Sequence, residues 1–261
     1  MDVCKTDSVS PFRRIIYEDD AVPADWFTPL LHGFAVDTGS IIPEGFDSYC
    51  RIFHPLRPHR QDAVSRTWAE VAATNGRIVH PQMQIHRISR PAGTPSEEYD
   101  LNDYLNELDW GTLPPPERSV LVDLLREQTT TPEQCWFCVW DGFGGVDHGG
   151  RARVHLPQRD YALYGGPIEI ALASLEHPRF GEDDDDEWTD ARNYQSPNLW
   201  WPEDRSWFVA TEIDFAWTYV GGTKATIEAI LHTEGLEALV VELTDKPFSN
   251  SDLVNAALDS V

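Results

Sequence analysis

Residues 196–222 read SPNLWWPEDRSWFVATEIDFAWTYVGG. Four of the ten tryptophans, Trp200, Trp201, Trp207 and Trp217, fall in this stretch, beside Arg205 and several carboxylates. Within it, residues 206–214 alternate. Trp207, Val209, Thr211 and Ile213 share one face, and Phe208, Ala210, Glu212 and Asp214 share the other, which is the period-2 signature of a strand. A second apolar run over 215–220 follows closely, so the segment reads as a packed strand pair. Large aromatics beside charged groups suit both such a pair and the wall of a binding cleft.

Working outward, the N-terminal side carries shorter signals. Phe12, Ile15, Ile16 and Tyr17 suggest a first strand in an otherwise polar, loosely ordered segment over 1–22, and 24–31 suggests a short helix. Asp62 is placed to cap a helix with Val64, Trp68, Val71 and Ala72 on one face, stopped by Asn75-Gly76. Residues 77–88 alternate loosely and suggest one or two strands. The stretch 89–115, rich in Pro, Gly, Asp and Glu, reads as a surface loop. Pro116 suits the first turn of a helix to residue 127 with Val120, Leu121, Leu124 and Leu125 inward.

Beyond it, 135–140 is a strand closed by the glycine-rich 141–145. A hairpin follows over 151–156 and 161–164, with 157–160 between its arms, and then a helix over 167–174. Thr223 caps a helix bearing Ile227, Ile230 and Leu231. A last strand over 239–243 and a helix over 251–258 complete the chain. This mixed order predicts an α+β fold, a mainly antiparallel sheet with helices packed on it, as a single domain over 23–261.

Composition narrows the class. With 261 residues the chain is long enough to bury a substantial core without disulfides or metal. Asp and Glu number 44 against 20 Lys and Arg, a net charge of −24 that repels phosphate backbones and disfavours nucleic acid. The basic cluster Arg51, Arg57, Arg60 and Arg66, interleaved with His54 and His59, is too short to overturn that and reads as a solvated loop and helix start. The acidic run over 182–187 reads as a solvated loop. A polar N-terminus and short aliphatic runs predict a cytoplasmic protein with no membrane span.

No strong catalytic motif is present. Cys135 and Cys138 form a lone CxxC without a second ligand pair, and on a strand they point to opposite faces about 10 Å apart, so they read as small buried residues with no metal implied. Gly221-Gly222 before the Thr223 helix offers amides for an anion, but a tight turn needing positive φ explains the pair. The candidates that remain are Glu212 and Asp214, about 7 Å apart on one strand face. They fit acid–base work, the binding of a cation or ion pairing with arginines. His54 is a candidate base, as are His80 and His86. Trp200, Trp201 and Arg205 form the candidate ligand-binding turn. No cofactor is implied.

The segments FDSYCRIFHP (46–55), CWFCVWDGFGG (135–145) and SPNLWWPEDR (196–205) through Gly222 resemble a group of uncharacterised actinobacterial proteins. The resemblance implies a bacterial, cytosolic origin and one continuous fold, and it carries no catalytic residue. The leading expectation is an acidic binding module, an immunity- or antitoxin-like partner of a basic protein. The alternative is a hydrolase-type enzyme with a cleft lined by Trp200, Trp201, Arg205, Glu212 and Asp214.

Overall fold

A computed structural model describes residues 20–58, 64–94, 101–143, 151–173, 175–176 and 194–260. The expected first strand at 12–17, the Asp62 cap, Arg60, His59 and the acidic run at 182–187 lie outside the described residues.

The segment that opens the sequence reading forms three consecutive strands: β7 (Leu199–Pro202), β8 (Trp207–Ala210) and β9 (Trp217–Gly222). They are the middle of an eight-stranded antiparallel sheet in the order β10-β1-β9-β8-β7-β2-β4-β3. The other strands are β1 (Ser48–Phe53), β2 (Cys135–Trp140), β3 (Arg153–Leu156), β4 (Arg159–Gly166) and β10 (Glu237–Val241). A separate two-stranded sheet pairs β5 (Leu175–Glu176) with β6 (Tyr194–Gln195). The α+β, antiparallel expectation is met.

Every residue of β7, β8 and β9 is buried, because both faces of the sheet are covered. On one face α4 (Pro115–Arg126), α5 (Lys224–Leu231) and a 3-10 turn at Ile168–Leu172 pack against Trp200, Trp207, Val209 and Val220. On the other, Phe27, α1 (Trp68–Thr74) and α2 (Ile85–Ile88) pack against Trp201, Phe208, Trp217 and Tyr219. Strand parity therefore divides the aromatics between two cores. Trp200 meets Trp207 edge-on at 5.2 Å on one face. Trp201 stacks on Phe208 at 5.4 Å on the other. The helices are amphipathic by the same logic: each buries one stripe on the sheet and leaves polar residues to water.

Several local expectations are corrected. Residues 24–31 are not one helix but two 3-10 turns, Val22–Ala24 and Thr28–Leu30; Pro23 and Pro29 stand at their starts, and a proline inside an α-helix removes a hydrogen bond. Helix α1 is capped by Thr67, whose hydroxyl accepts from the Glu70 amide, while Val64 is exposed. In α4 the buried stripe is Glu117, Arg118, Leu121, Val122 and Leu125, with Val120 and Leu124 at its margin. The stripe can include Glu117 because Arg57 meets that carboxylate with two bonds of 2.6 and 2.7 Å. The 89–115 loop contains α3 (Asn102–Asn106). Strand β10 starts two residues earlier than expected, which lets the Glu237 carboxylate accept from the Trp68 and Ala69 amides at the start of α1.

Two corrections have a clearer physical cause. Residues 77–88 contain no strand; they form a turn and the helix α2. The cause is Arg51. Its guanidinium is buried and donates to the carbonyls of Pro81 and Met83 at 2.7 and 3.1 Å, so this segment hydrogen-bonds to a side chain instead of a ladder. Residues Gly221-Gly222 are not a turn but the end of β9, opposite Tyr49 and Ser48, and neither has positive φ. A side chain at 221 would meet the Phe46 ring at 2.7 Å, so close approach accounts for that glycine.

Replacing Arg51 with Met keeps the apolar stem but leaves both carbonyls without their donor. An unsatisfied buried carbonyl costs on the order of 1–3 kcal/mol, so R51M should lose about 3 kcal/mol in urea unfolding. A loss below about 1 kcal/mol would show that the guanidinium is dispensable.

Candidate functional site

Strand β8 stops at Ala210 because Asn198 captures the next residue. The Asn198 carbonyl accepts from the Thr211 amide at 2.7 Å, and the Asn198 side-chain amide donates to the Thr211 carbonyl at 3.1 Å. The chain then turns over 212–216, with the Phe215 amide on the Glu212 carbonyl at 3.0 Å. Glu212 and Asp214 therefore sit in a turn and not on one strand face, which corrects the parity expectation.

What brings the two together is Arg159. The β3–β4 hairpin turns on two residues, Pro157 and Gln158 (φ 68°), so Arg159 is the first residue of β4. Its guanidinium donates to Glu212 at 3.0 and 3.3 Å, to Asp214 at 2.9 Å and to the Gln158 carbonyl at 3.1 Å. Burial pushes the Glu212 carboxyl above the usual carboxylate range, against the pull of Arg159. The Asp214 side chain is 72% exposed.

Around this triad lies a cleft of about 250 Å³. Its apolar wall is Leu31, Phe34, Ile41, Leu156, Phe215 and Phe248. Further polar groups come from a different segment: His32 and Asp37 also line it, and His32 Nδ1 donates to Asp37 Oδ1 at 2.6 Å. The 32–40 loop is held by the chain after β10. The Thr38 and Gly39 amides donate to the Asp245 and Leu243 carbonyls at 2.8 and 2.9 Å. Gly39 lies under the His32 ring, where a Cβ would collide with the imidazole. The Ser40 hydroxyl donates to the Gly33 carbonyl at 2.6 Å and accepts from the Val36 and Asp37 amides, so its proton is already committed.

Thr211 also lines the cleft, and its orientation is set from far inside the fold. His54 is fully buried, and burial pushes its imidazole down to about 3, so the ring is neutral. Its Nδ1 lies 2.8 Å from the Asp109 carbonyl, which can only accept, so Nδ1 carries the proton and Nε2 is bare. Thr218 Oγ1, 2.9 Å from Nε2, must then donate to it. With that proton used, the Thr211 hydroxyl, 2.8 Å from Thr218 Oγ1, is the donor between the two threonines. Thr211 Oγ1 is left with lone pairs only, and no donor reaches it among the described residues.

The remaining candidates are placed elsewhere. Trp200 and Trp201 are each 1% exposed and project into opposite cores, so they cannot share a ligand. Arg205 is exposed in a tight turn (φ 56°), its guanidinium 5.1 Å from the Trp26 ring. None of the three lines the cleft. His54 is structural in its contacts, as above. His80 pairs with Asp252 at 2.8 Å, and burial lowers the pKa of His86. Arg57 is paired with Asp109 and Glu117, and Arg66 with Glu107.

Cys135 and Cys138 fall in opposite cores, and burial raises both thiols, Cys135 to about 12. Among the described residues no group of three or more His, Cys, Asp or Glu is arranged to hold a metal ion, and no helix is long and apolar enough to cross a membrane. His32, Asp37 and Arg159 were not singled out by sequence reasoning. The only local trace is the spacing His32-Gly-Phe-Ala-Val-Asp37. No family model, no curated protein and no solved structure matches the chain.

Because His54 is neutral in the fold and has an ordinary imidazole pKa of 6.5 when unfolded, its contribution to stability is present above pH 6.5. It is lost as pH falls from 6.5 toward about 3, with a slope near one proton, about 1.4 kcal/mol per pH unit. Nitrogen-15 NMR of the ring should show the Nδ1–H tautomer throughout and no titration above about pH 5. A ring that titrates near 6.5 would contradict the buried hydrogen-bond chain.

Proposed function

We propose that the protein is a binding module whose cleft takes a small amphipathic molecule. One observation carries this: a single cleft combines an apolar lining with two separate sets of polar groups, His32–Asp37 and Arg159–Glu212–Asp214. The pairing of both carboxylates with Arg159 favours recognition over acid–base work by Glu212 and Asp214. The expected basic partner is supported by net charge alone, and the cleft supplies a more specific determinant.

Leu156→Trp should fill the cleft from the end of β3, at a position half open to solvent. In ligand-observed NMR with ring-sized fragments, binders of the wild-type protein should lose binding to L156W, whose fold is checked by circular dichroism. Failure of every fragment to bind, or equal binding to L156W, would sink the proposal.

A hydrolase reading draws on one feature. A carboxylate on Nδ1 orients the imidazole of His32, and its Nε2 has no partner among the described residues, as a general base requires. With the Ser40 proton committed, the nucleophile would be water. General-base catalysis contributes roughly 10²–10⁴-fold, so His32→Asn should lower turnover of small aryl esters by about a hundredfold. Wild-type turnover no faster than background rules this reading out.

A further inference from the structure

We propose that the ligand is an uncharged molecule of ring-and-short-chain size, held by a carbonyl oxygen that accepts a hydrogen bond from Tyr161. This rests on the cleft being a binding site and names what it selects. Tyr161 lies on β4 two residues after Arg159, so the two side chains share one face of the sheet. The register agrees: Leu156 stands opposite Arg159 and Val154 opposite Tyr161, and Val154, Tyr161 and Leu199 belong to the core of that face. The tyrosine is only 3% exposed, yet its hydroxyl meets no hydrogen-bond partner among the described residues. Nor is that oxygen sealed off inside the protein, as the indole nitrogens of Trp26 and Trp217 are. The charged side chains acting on it are Glu212 and Arg159, both in the cleft lining, so the open space beside the oxygen is the cleft.

The hydroxyl is available as a donor. Burial, with the Glu212 carboxylate nearby, holds its pKa well above the ordinary phenol value, so the proton stays in place at neutral pH. A phenol can donate and accept, and it donates better because its lone pair is delocalised into the ring. The other hydroxyl protons of the lining are committed, Ser40 to the Gly33 carbonyl and Thr211 to Thr218. A desolvated hydroxyl without a partner is costly, and an incoming acceptor relieves that cost.

Charge on the ligand is disfavoured from both sides. Arg159 has given its Nε and Nη2 protons to the two carboxylates and an Nη1 proton to the Gln158 carbonyl. No parallel pair of donors remains for a carboxylate or phosphate, and Asp37, Glu212 and Asp214 repel an anion. An ammonium has donors only and cannot take the Tyr161 proton. The carboxylates it would seek are already paired, with Arg159 and with His32. The rest of the lining, with Leu31, Ile41, Leu156, Leu199 and Phe215, is apolar, and there a hydrogen-bonded carbonyl is buried at far smaller cost than an ion. Size sets the body: a cavity of about 150 Å³ holds benzene, so the larger volume here suits a ring with a short chain.

The test is calorimetric titration at neutral pH with 4-phenylbutan-2-one, cationic 2-phenylethylamine and anionic 3-phenylpropanoate. The ketone should bind best, and Tyr161→Phe should weaken it about fivefold, the size of one neutral hydrogen bond. The amine should bind the wild type about fivefold more weakly than the ketone, since it cannot accept that bond, and the carboxylate more weakly still. In infrared difference spectra the carbonyl stretch of the bound ketone should lie at lower frequency with the wild type than with Y161F. Leu156→Trp should abolish ketone binding, which places the probe in the cleft. The thermal midpoint of Y161F should equal or exceed that of the wild type, because the hydroxyl it removes holds nothing in the free protein. If Y161F binds the ketone unchanged with the same stretch, or if a charged analogue matches the ketone, the carbonyl assignment is overturned and the binding module stands. If none of the three binds while other fragments do, the outcome is the same. If nothing binds at all, both fall together.

Discussion

A charged side chain at the centre of an aromatic core organises one half of this molecule. Arg51 lies on β1, with its guanidinium carbon 3.8 Å from the Trp217 ring, 4.5 Å from Phe53 and 5.5 Å from Trp68. Two of its nitrogens, Nε and Nη2, have no hydrogen-bond partner among the described residues, and the ring faces stand in for water. Burial lowers its pKa to about 10, still well above neutrality, so the charge is kept. A buried cation is costly unless compensated. Here the compensation joins a strand, helix α1 and the 81–83 carbonyls into one unit. The same face is closed further along by Asp259, which receives Arg77, Arg87 and Arg90 from the chain around α2.

The cleft depends on the sheet for a different reason. Its residues come from the 32–40 loop, the β3–β4 hairpin, the β8–β9 turn and Phe248, and Arg159 meets Glu212 and Asp214 from more than fifty positions away. The sheet brings them to one end. A hydrogen-bond chain runs inside the fold from Asp109 through His54 and Thr218 to Thr211. A histidine that reads as a catalytic candidate thus acts by fixing which way a hydroxyl points.

The aromatic-rich stretch was legible as strands, and so was the division of Trp207 from Phe208 by parity, because alternation survives wherever a strand is packed on a sheet. It failed at Glu212 and Asp214, since Asn198 ends β8 at Ala210 and alternation has no meaning in a turn. It failed again for Trp200, Trp201 and Arg205. Aromatic surplus does not say whether one face or both will be covered, and here both are. Capping at Thr223 was readable because that hydrogen bond closes within four residues. The Arg51 bonds to Pro81 and Met83 span about thirty residues, and no local pattern announces them.

What the sequence determined by itself is therefore everything governed by short-range periodicity and composition: an antiparallel α+β architecture, most element positions, the opposed faces of Cys135 and Cys138, and the strong negative charge. The tertiary structure alone decided which polar residues meet. Arg159 finds Glu212 and Asp214 across more than fifty positions, and His32 faces them only because the loop after it is tied to residues 243–245. A binding site is a coincidence of distant segments, set by register and packing, and those are properties of the folded chain.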